Sequence, residues 1–514
     1  MSGKGKILSQ FASLAFMTQG ILLLNQIILL PIQLHVWQKD LTAYWFSILA
    51  IAAVTNVADF GLRSAGHAQL MRWTNDPNDH EAANEFQELW AWIRILIVLV
   101  TSVLVIGDFV FHHFCLSEDY PLWRTALLLA VAMEVVLGVR INYLDTQGFY
   151  REAEGGFLIL IAARLILTIG ALVFFHASPA MVAWIWFGVG AFALLQQGWL
   201  CRRAGRMKLF EAIPSSISWR TLGTIRYTMA DPCSNWVRIN GPVVVLGAIS
   251  APSIAIVTYV ALRAIFGAAR STILQISRYA SVEYLALRQA GKLQLAEMHF
   301  TMMMLMSAFF ASGMAAFVIL DNGRLASLVL KEMNLPIYQM MAITFALGNA
   351  FFSFAIPAAV SRRAGEVVEV AYRQYFYILC AAVFAAIALV TKSMLIWLLL
   401  AMVADVLAAL SFMVTPARNS ILQETTSGWR AAVAAATSSV MVLLMWLFMQ
   451  VQGFNFLDGR TPYDILCTIA FFLGWILVIG FVDLSLVYGI RARDLNLPGA
   501  VFNWAYRVRP QVAK

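Results

Sequence analysis

The chain has 514 residues, 61% of them hydrophobic and 12% charged, and its 36 Lys and Arg against 28 Asp and Glu give a formal charge of +8. Its mean hydropathy is +0.76. Soluble globular proteins are about half apolar and about a quarter charged, so a water-soluble chain of this length would lack the polar surface to cover its cores. The composition excludes that class and predicts an integral membrane protein.

A transmembrane helix needs about 20 predominantly apolar residues. By that rule fourteen spans are expected in chain order, at 8–34, 42–69, 89–111, 121–146, 156–177, 179–199, 221–248, 252–277, 297–320, 336–360, 370–390, 393–415, 430–450 and 464–489. The first follows Lys4 and Lys6, exceeds the apolar length of a signal peptide and precedes no small-residue cleavage site, so it is expected to remain as an anchor. The segment 76–88 reads as an acidic loop, 201–220 as a basic connection, and 321–336 as the longest loop on the opposite side. None of these can form an extramembrane domain.

Loop cations set the orientation. With the N-terminus inside, the loops on that side carry 23 Lys and Arg, while the opposite side carries five: Lys39, Arg324, Lys331, Lys392 and Arg460. Both termini are therefore expected in the cytoplasm, and the positive charge is explained without any nucleic acid. Trp37, Trp45, Trp90, Trp123, Trp199, Trp219 and Trp429 fall near span ends, where amphipathic rings favour the membrane interface.

The basic connection separates a lobe over 1–206 from a lobe over 221–415, with 207–220 as linker, 430–489 as two extra helices and 490–514 as a cytoplasmic tail. Six spans per half predict two lobes related by a pseudo-two-fold axis along the membrane normal. The expected fold is thus an all-α polytopic membrane protein. Pro31, Pro232 and Pro357 interrupt spans one, seven and ten, and Gly20 loosens span one. Each proline removes a backbone hydrogen bond, which predicts bends.

No catalytic constellation, metal motif or cofactor motif is present. The five cysteines are scattered, His112 and His113 are the only adjacent histidines, and no Walker-type glycine-rich loop occurs. The informative residues are the buried charges. Arg94, Arg124 and Arg226 lie close enough to span ends to snorkel. Arg140, Arg164, Arg238, Arg263 and Arg270 lie deep. Each costs at least ~2.5–3.5 kcal/mol on insertion scales, so each is expected to face a cavity or a partner.

Spans seven and eight meet at a turn near 250–252, and both Arg238 with Arg263 and Asp231 with Arg270 are symmetric about it. This places the members of each couple at matching depth. Asp231 and Arg270 are expected to pair, leaving Arg238 and Arg263 unpaired toward an aqueous cavity. Arg140 and Arg164 flank the turn near Arg151 and are expected to form a second basic layer. The alternative is that several of these arginines cap neighbouring helices. Among embedded acids, Glu134 is the most central and the first candidate for ion coupling, because a carboxyl in apolar surroundings can carry a proton. Asp59, Asp145 and Asp231 are further candidates, while Asp405 and Asp483 read as helix-packing partners.

The residues Ala58-Asp59-Phe60-Gly61-Leu62-Arg63, Gly148-Phe149-Tyr150-Arg151, the run Trp236 to Pro242 leading into Leu246-Gly247, and the segment from Ile254 to Arg263 with Tyr259 resemble the MOP exporter superfamily. Within it, the chain looks most like the polysaccharide transport branch. Fourteen spans also occur in the murein-precursor lipid flippases. The resemblance implies a flippase of the bacterial inner membrane that moves an undecaprenyl-pyrophosphate-linked oligosaccharide from the cytoplasmic to the periplasmic leaflet by alternating access. Arg140, Arg164, Arg238, Arg263 and Arg270 would line its cationic cavity, since guanidinium binds pyrophosphate bidentately. Its partners would be the lipid-linked anionic saccharide, membrane lipids and H+ or Na+ as coupling ion.

A cation-coupled multidrug exporter of the same superfamily is the alternative. Cationic drugs would favour an acidic cavity, and span one holds no Asp or Glu. A membrane oligosaccharide polymerase would need a larger external loop than the sixteen residues of 321–336.

Overall fold

A computed structural model describes residues 3–58, 61–76, 78–111, 121–146, 149–203, 225–289, 291–292, 296, 307, 336–346, 348 and 367–414. The described elements are α1 (Gly3–Ala52), a 3-10 turn (Ala53–Val57), α2 (Leu62–Asn75), α3 (His80–Phe111), α4 (Trp123–Thr146), α5 (Tyr150–Phe175), α6 (Pro179–Arg203), α7 (Ala230–Ile239), α8 (Gly241–Ala248), α9 (Ser253–Gln289), α10 (Val367–Thr391) and α11 (Met394–Val414). Residues 336–346 are also helical. Six helices among the described residues are long and apolar enough to cross a membrane. The protein is a multi-pass membrane protein. The expected spans nine, thirteen and fourteen, the linker and the tail lie outside the described residues, save for Ser307 of span nine.

The chain forms two compact units. The first comprises Met1–Thr272, Asp321–Gly348 and Arg362–Ala408; the second comprises Ile273–Leu320, Asn349–Ser361 and Ala409–Lys514. In the first, α4 packs along α6 and α1 along α5. Between apolar helices in lipid, close packing replaces the hydrophobic effect as the source of association, and small residues permit it. Ala126, Ala130, Ala132, Ala183 and Ala193 are accordingly buried on α4 and α6. Apolar side chains also project outward: Val98 of α3, Phe174 of α5 and Leu195 of α6 are 65%, 78% and 75% exposed, the surface a lipid solvent requires.

Helix ends match expectation most closely where joints are tight, as at α5–α6 and α10–α11. Non-glycine residues in the left-handed region make the joints: Gln38 (φ 64°) inside α1, His176 (φ 47°) before α6, Ser250 (φ 56°) before α9 and Lys392 (φ 48°) before α11. Gln38 divides α1 into two helices, in the gap expected between spans one and two.

Elsewhere the expectations need correction. Span two does not run unbroken to residue 69: it tightens into the 3-10 turn, and α2 starts anew after Gly61 (φ 74°). A Cβ on Gly61 would lie 2.3 Å from the carbonyl carbon and oxygen of Thr228, so the close approach of that backbone requires glycine. Most of the acidic segment 76–88 is the start of α3, where Asp79 Oδ1 accepts the Ala82 N–H at 2.9 Å. This is an N-cap, and Glu81 in the first turn complements the helix dipole.

Span seven is interrupted twice among the described residues: at Met229, between helical residues 225–228 and α7 and just before Pro232 as that proline predicts, and again between α7 and α8. Pro232 lies in the first turn of α7, where a missing N–H is harmless, and the second break, which Pro232 does not explain, comes at Asn240, before Gly241 and Pro242. Pro357 lies outside the described residues.

The tryptophans are also repositioned. Trp37, Trp45 and Trp90 are 5%, 1% and 3% exposed, so they are core residues and not an interfacial belt, whereas Trp199 is exposed. Trp45 stacks on Trp123 at 5.9 Å and meets Trp186 edge-on at 5.7 Å. Trp37 donates Nε1–H to the Ala177 carbonyl at 2.6 Å, tying α1 to the α5–α6 joint. Buried indoles need such an acceptor. Trp219 and Trp429 lie outside the described residues.

Candidate functional site

Within the first unit, α7 carries polar side chains on successive turns, each held by a different helix. Asp231 Oδ1 accepts from Gln374 Nε2 of α10 at 2.8 Å. Asn235 Oδ1 accepts from Arg270 Nη2 of α9 at 3.1 Å. Arg238 donates Nε–H to Asp405 Oδ1 of α11 at 3.0 Å, and its guanidinium lies 4.4 Å from the Tyr377 ring centroid. At the broken end of α7, Arg263 Nη1 donates to the Ile239 carbonyl at 2.8 Å and to Asn240 Oδ1 at 3.3 Å. A helix end leaves its last carbonyls without intrahelical donors, and Arg263 supplies one.

Arg238, Arg263, Arg270, Asp231 and Asp405 thus form one cluster, and Arg270 lies within electrostatic reach of Arg238, Asp231 and Asp405. Tyr259 lies within such reach of Arg263, Arg238 and Asp405. The expectation that Arg238 and Arg263 stay unpaired is corrected: Arg238 holds Asp405 and Arg263 caps α7. The physical reason is the cost of an uncompensated guanidinium in a low-dielectric interior. Depth arithmetic could not supply Asp405, because it compares only helices joined by one turn.

Arg140, Arg164 and Glu134 find their partners within α4–α6. Arg164 Nη1 pairs with Glu134 Oε1, its guanidinium lies 5.2 Å from the Trp186 ring centroid, and Trp186 Nε1 donates to Thr168 Oγ1 at 3.1 Å. Arg140 Nη1 donates to the Leu194 carbonyl at 2.5 Å. In place of the expected basic layer, Arg164 forms an ion pair and Arg140 donates to a carbonyl in the interior of α6. Helix α4 ends at Thr146 and α5 starts at Tyr150, so the residue at matching depth to Arg164 is Glu134, not Arg140.

Glycines make room for these groups. A Cβ on Gly198 would lie 3.1 Å from Arg140 Nη1, one on Gly190 3.5 Å from Arg164 Nη2, and one on Gly138 2.7 Å from Arg63 Nη1.

Asp145 belongs to α4, with its side chain outside the described part; Asp59 and Asp483 lie outside the described residues. Sequence reasoning passed over Asp108, which pairs with Arg124 Nη2 at 2.5 Å. Arg124 also donates to Tyr44 Oη at 3.2 Å and is 8% exposed, so it does not snorkel. Symmetry about the α3–α4 connection would have found this pair. Gln374, Asn235 and Tyr377 were also passed over, since neutral polar residues carry no comparable penalty to flag them. Among the described residues no group of three His, Cys, Asp or Glu could hold a metal ion.

No protein-family model matches the chain, and no curated protein matches it in sequence. Solved structures do match in shape. The lipid II flippase MurJ, in an inward closed conformation, superposes with a TM-score of 0.53 at 12% identity, covering 93% of this chain and 98% of that chain. An inward-facing multidrug resistance MATE family transporter of the MOP superfamily superposes with a TM-score of 0.52 at 13% identity, covering 85% of this chain and 95% of that one. The chain shares its fold with these two proteins. Both neighbours bear the names of membrane transporters rather than enzymes.

Proposed function

We propose that the protein is a flippase that translocates an undecaprenyl-pyrophosphate-linked oligosaccharide from the cytoplasmic to the periplasmic leaflet of a bacterial inner membrane. Its product would serve cell-surface polysaccharide export of the O-antigen or exopolysaccharide kind. The observation that carries the reading is the gathering of Arg238, Arg263 and Arg270 around α7, in a fold shared with a lipid II flippase. Guanidinium groups suit pyrophosphate, which accepts several charge-assisted hydrogen bonds at once. Arg140 and Arg164 would contribute a second anion-attracting region, and Glu134, Asp231, Asp59 and Asp145 are the candidates for H+ or Na+ coupling. A flippase needs no covalent chemistry, only different affinities in its inward-open and outward-open states.

Both termini would lie in the cytoplasm, as loop cations favour. Two six-helix lobes, 1–206 and 221–415, followed by two extra helices, suit alternating access. The left-handed joints support that division: Gln38 and Ser250 are 212 residues apart, and His176 and Lys392 are 216 apart, so corresponding turns of the two halves recur at nearly one offset.

A cation-coupled multidrug exporter is the second reading, favoured by the shape match to the MATE transporter and by the pairing of Arg164 and Arg238 with acids. Deleting the gene decides between them. Accumulated undecaprenyl-linked units that a periplasmic probe cannot reach establish a flipping defect. Accumulated units exposed to the probe indicate polymerisation instead. No accumulation, with increased drug sensitivity, overturns the flippase in favour of the exporter.

A further inference from the structure

The cluster around α7 contains its own anion where a substrate phosphate would bind. Arg238 presents its Nε edge to Asp405 Oδ1 at 3.0 Å while Tyr377 covers one face of the guanidinium. A carboxylate and a phosphate oxygen compete for the same N–H donors in the same plane. Arg238 and Asp405 are 12% and 20% exposed in their side chains, and Asp405 Oδ2 rests against Gly348, 3.3 Å from where its Cβ would be. Asp231, by contrast, takes an amide donor from Gln374.

We infer that Asp405 is an internal substitute for the substrate's phosphate, and that its displacement from Arg238 couples substrate binding to the uptake of one proton. The inference rests on the flippase reading and names its coupling residue.

Charge balance carries the second half of the argument. The charged and titratable groups within electrostatic reach of Asp405 are Arg238 of α7, Tyr259 and Arg270 of α9, and Tyr377 of α10. With Asp405 ionised, Arg238 and Arg270 leave one net positive charge around it. A pyrophosphate diester brings two negative charges, so its arrival leaves the cluster one charge negative. A buried uncompensated charge is expensive and is relieved by neutralisation.

Asp405 is the group that loses its guanidinium partner on binding, so Asp405 takes the proton, as a carboxyl O–H formed with a proton from bulk water. The cluster is then neutral. Release of the substrate on the far side returns Asp405 to Arg238 and the proton to solvent. The empty carrier keeps Arg238 compensated throughout, which explains how a deep cation is tolerated between cycles.

The test is calorimetry on the full chain in nanodiscs at pH 7, with farnesyl-pyrophosphoryl-N-acetylglucosamine as probe, in PIPES, HEPES and Tris. The dependence of binding heat on buffer ionisation enthalpy counts the protons. The expected result is uptake of about one proton per probe in the wild type and none in Asp405→Asn, which still binds. Asp405→Glu, which keeps a titratable group, restores the uptake and guards against a folding defect in the amide variant. Binding without proton uptake in the wild type, or uptake that persists in Asp405→Asn, overturns the inference and leaves the flippase reading intact. Absence of binding in a folded wild type overturns the flippase reading and the inference with it.

Discussion

Two regions of the first unit solve the problem of a deep arginine with the same three parts and different wiring. In α4–α6 the set is Arg164, Glu134 and the Trp186 ring; around α7 it is Arg238, Asp405 and the Tyr377 ring. The first pair joins neighbouring helices of one hairpin, 30 residues apart, and is enclosed by continuous helices with Gly190 beside the guanidinium. The second joins helices 167 residues apart and sits on a ten-residue helix with a break after it. Identical chemistry can therefore lock a packed hairpin in one place and present an exchangeable contact in another. Wiring, rather than residue type, is what separates the two pairs.

Substitutions on both sides of that contrast can test it. The largest effect is expected at Gly61, whose backbone approach holds the segment before α7. Gly61→Ala would force a Cβ to within 2.3 Å of the Thr228 carbonyl and leave a positive φ on an L-residue. Left-handed strain of ~1–2 kcal/mol and overpacking of ~1–3 kcal/mol predict a loss of about 2–5 kcal/mol in denaturation assays in micelles. Unchanged stability would show that the 61–228 contact is not maintained.

Next is the ion pair itself. Asp405→Leu strands Arg238 and should destabilise by about 3 kcal/mol, while the double change with Arg238→Leu should recover most of the loss and abolish binding of a pyrophosphate probe. In α4–α6, Glu134 is 33% exposed. Glu134→Leu should therefore cost less, about 1–2 kcal/mol, and leave probe binding at α7 unaltered. Equal effects of the two substitutions on binding would erase the distinction drawn here.

A smaller effect is expected from Gln374→Leu, which deprives Asp231 of one donor. A hydrogen bond to a charged group contributes ~1.5–3 kcal/mol, and its loss should be read at the low end because Asp231 makes other contacts. The smallest effect should be favourable. Lys392→Gly removes left-handed strain at the α10–α11 joint and should raise stability by about 1 kcal/mol or less. A destabilised Lys392→Gly would mean that the lysine side chain contributes more than its backbone strain removes.

How much of this was legible in the sequence depended on distance along the chain. Apolar length identified α4, α5, α6, α10 and α11 to within a few residues, because one physical requirement, crossing hydrocarbon, sets their bounds. The same reasoning missed the breaks at residues 58–61 and at Asn240, where helix geometry yields to a close backbone approach and to Gly241-Pro242. The interfacial reading of Trp37 and Trp45 failed because position near a span end does not say whether a ring faces lipid or protein.

Of the site, the sequence marked Arg238, Arg263, Arg270 and Asp231 by their improbability in a span. Depth matching was sound in principle but needed the turn placed to within a residue or two. A misplacement near Arg151 exchanged Arg140 for Glu134 as the partner of Arg164. The Arg238–Asp405 contact was beyond reach, since no local rule relates α7 to α11.

The 167-residue separation of that pair also has a meaning in time. Chains are synthesised at ~5–20 residues per second, so Glu134 waits about 2–6 s for Arg164 to emerge, whereas Arg238 waits roughly 8–33 s for Asp405. During that interval α7 enters the membrane before its carboxylate partner is made, and ribosome-bound chains that expose Arg238 but not yet Asp405 should be captured by whatever holds immature helices at the insertion machinery. Asp405 would then be the residue whose arrival lets the nascent protein leave.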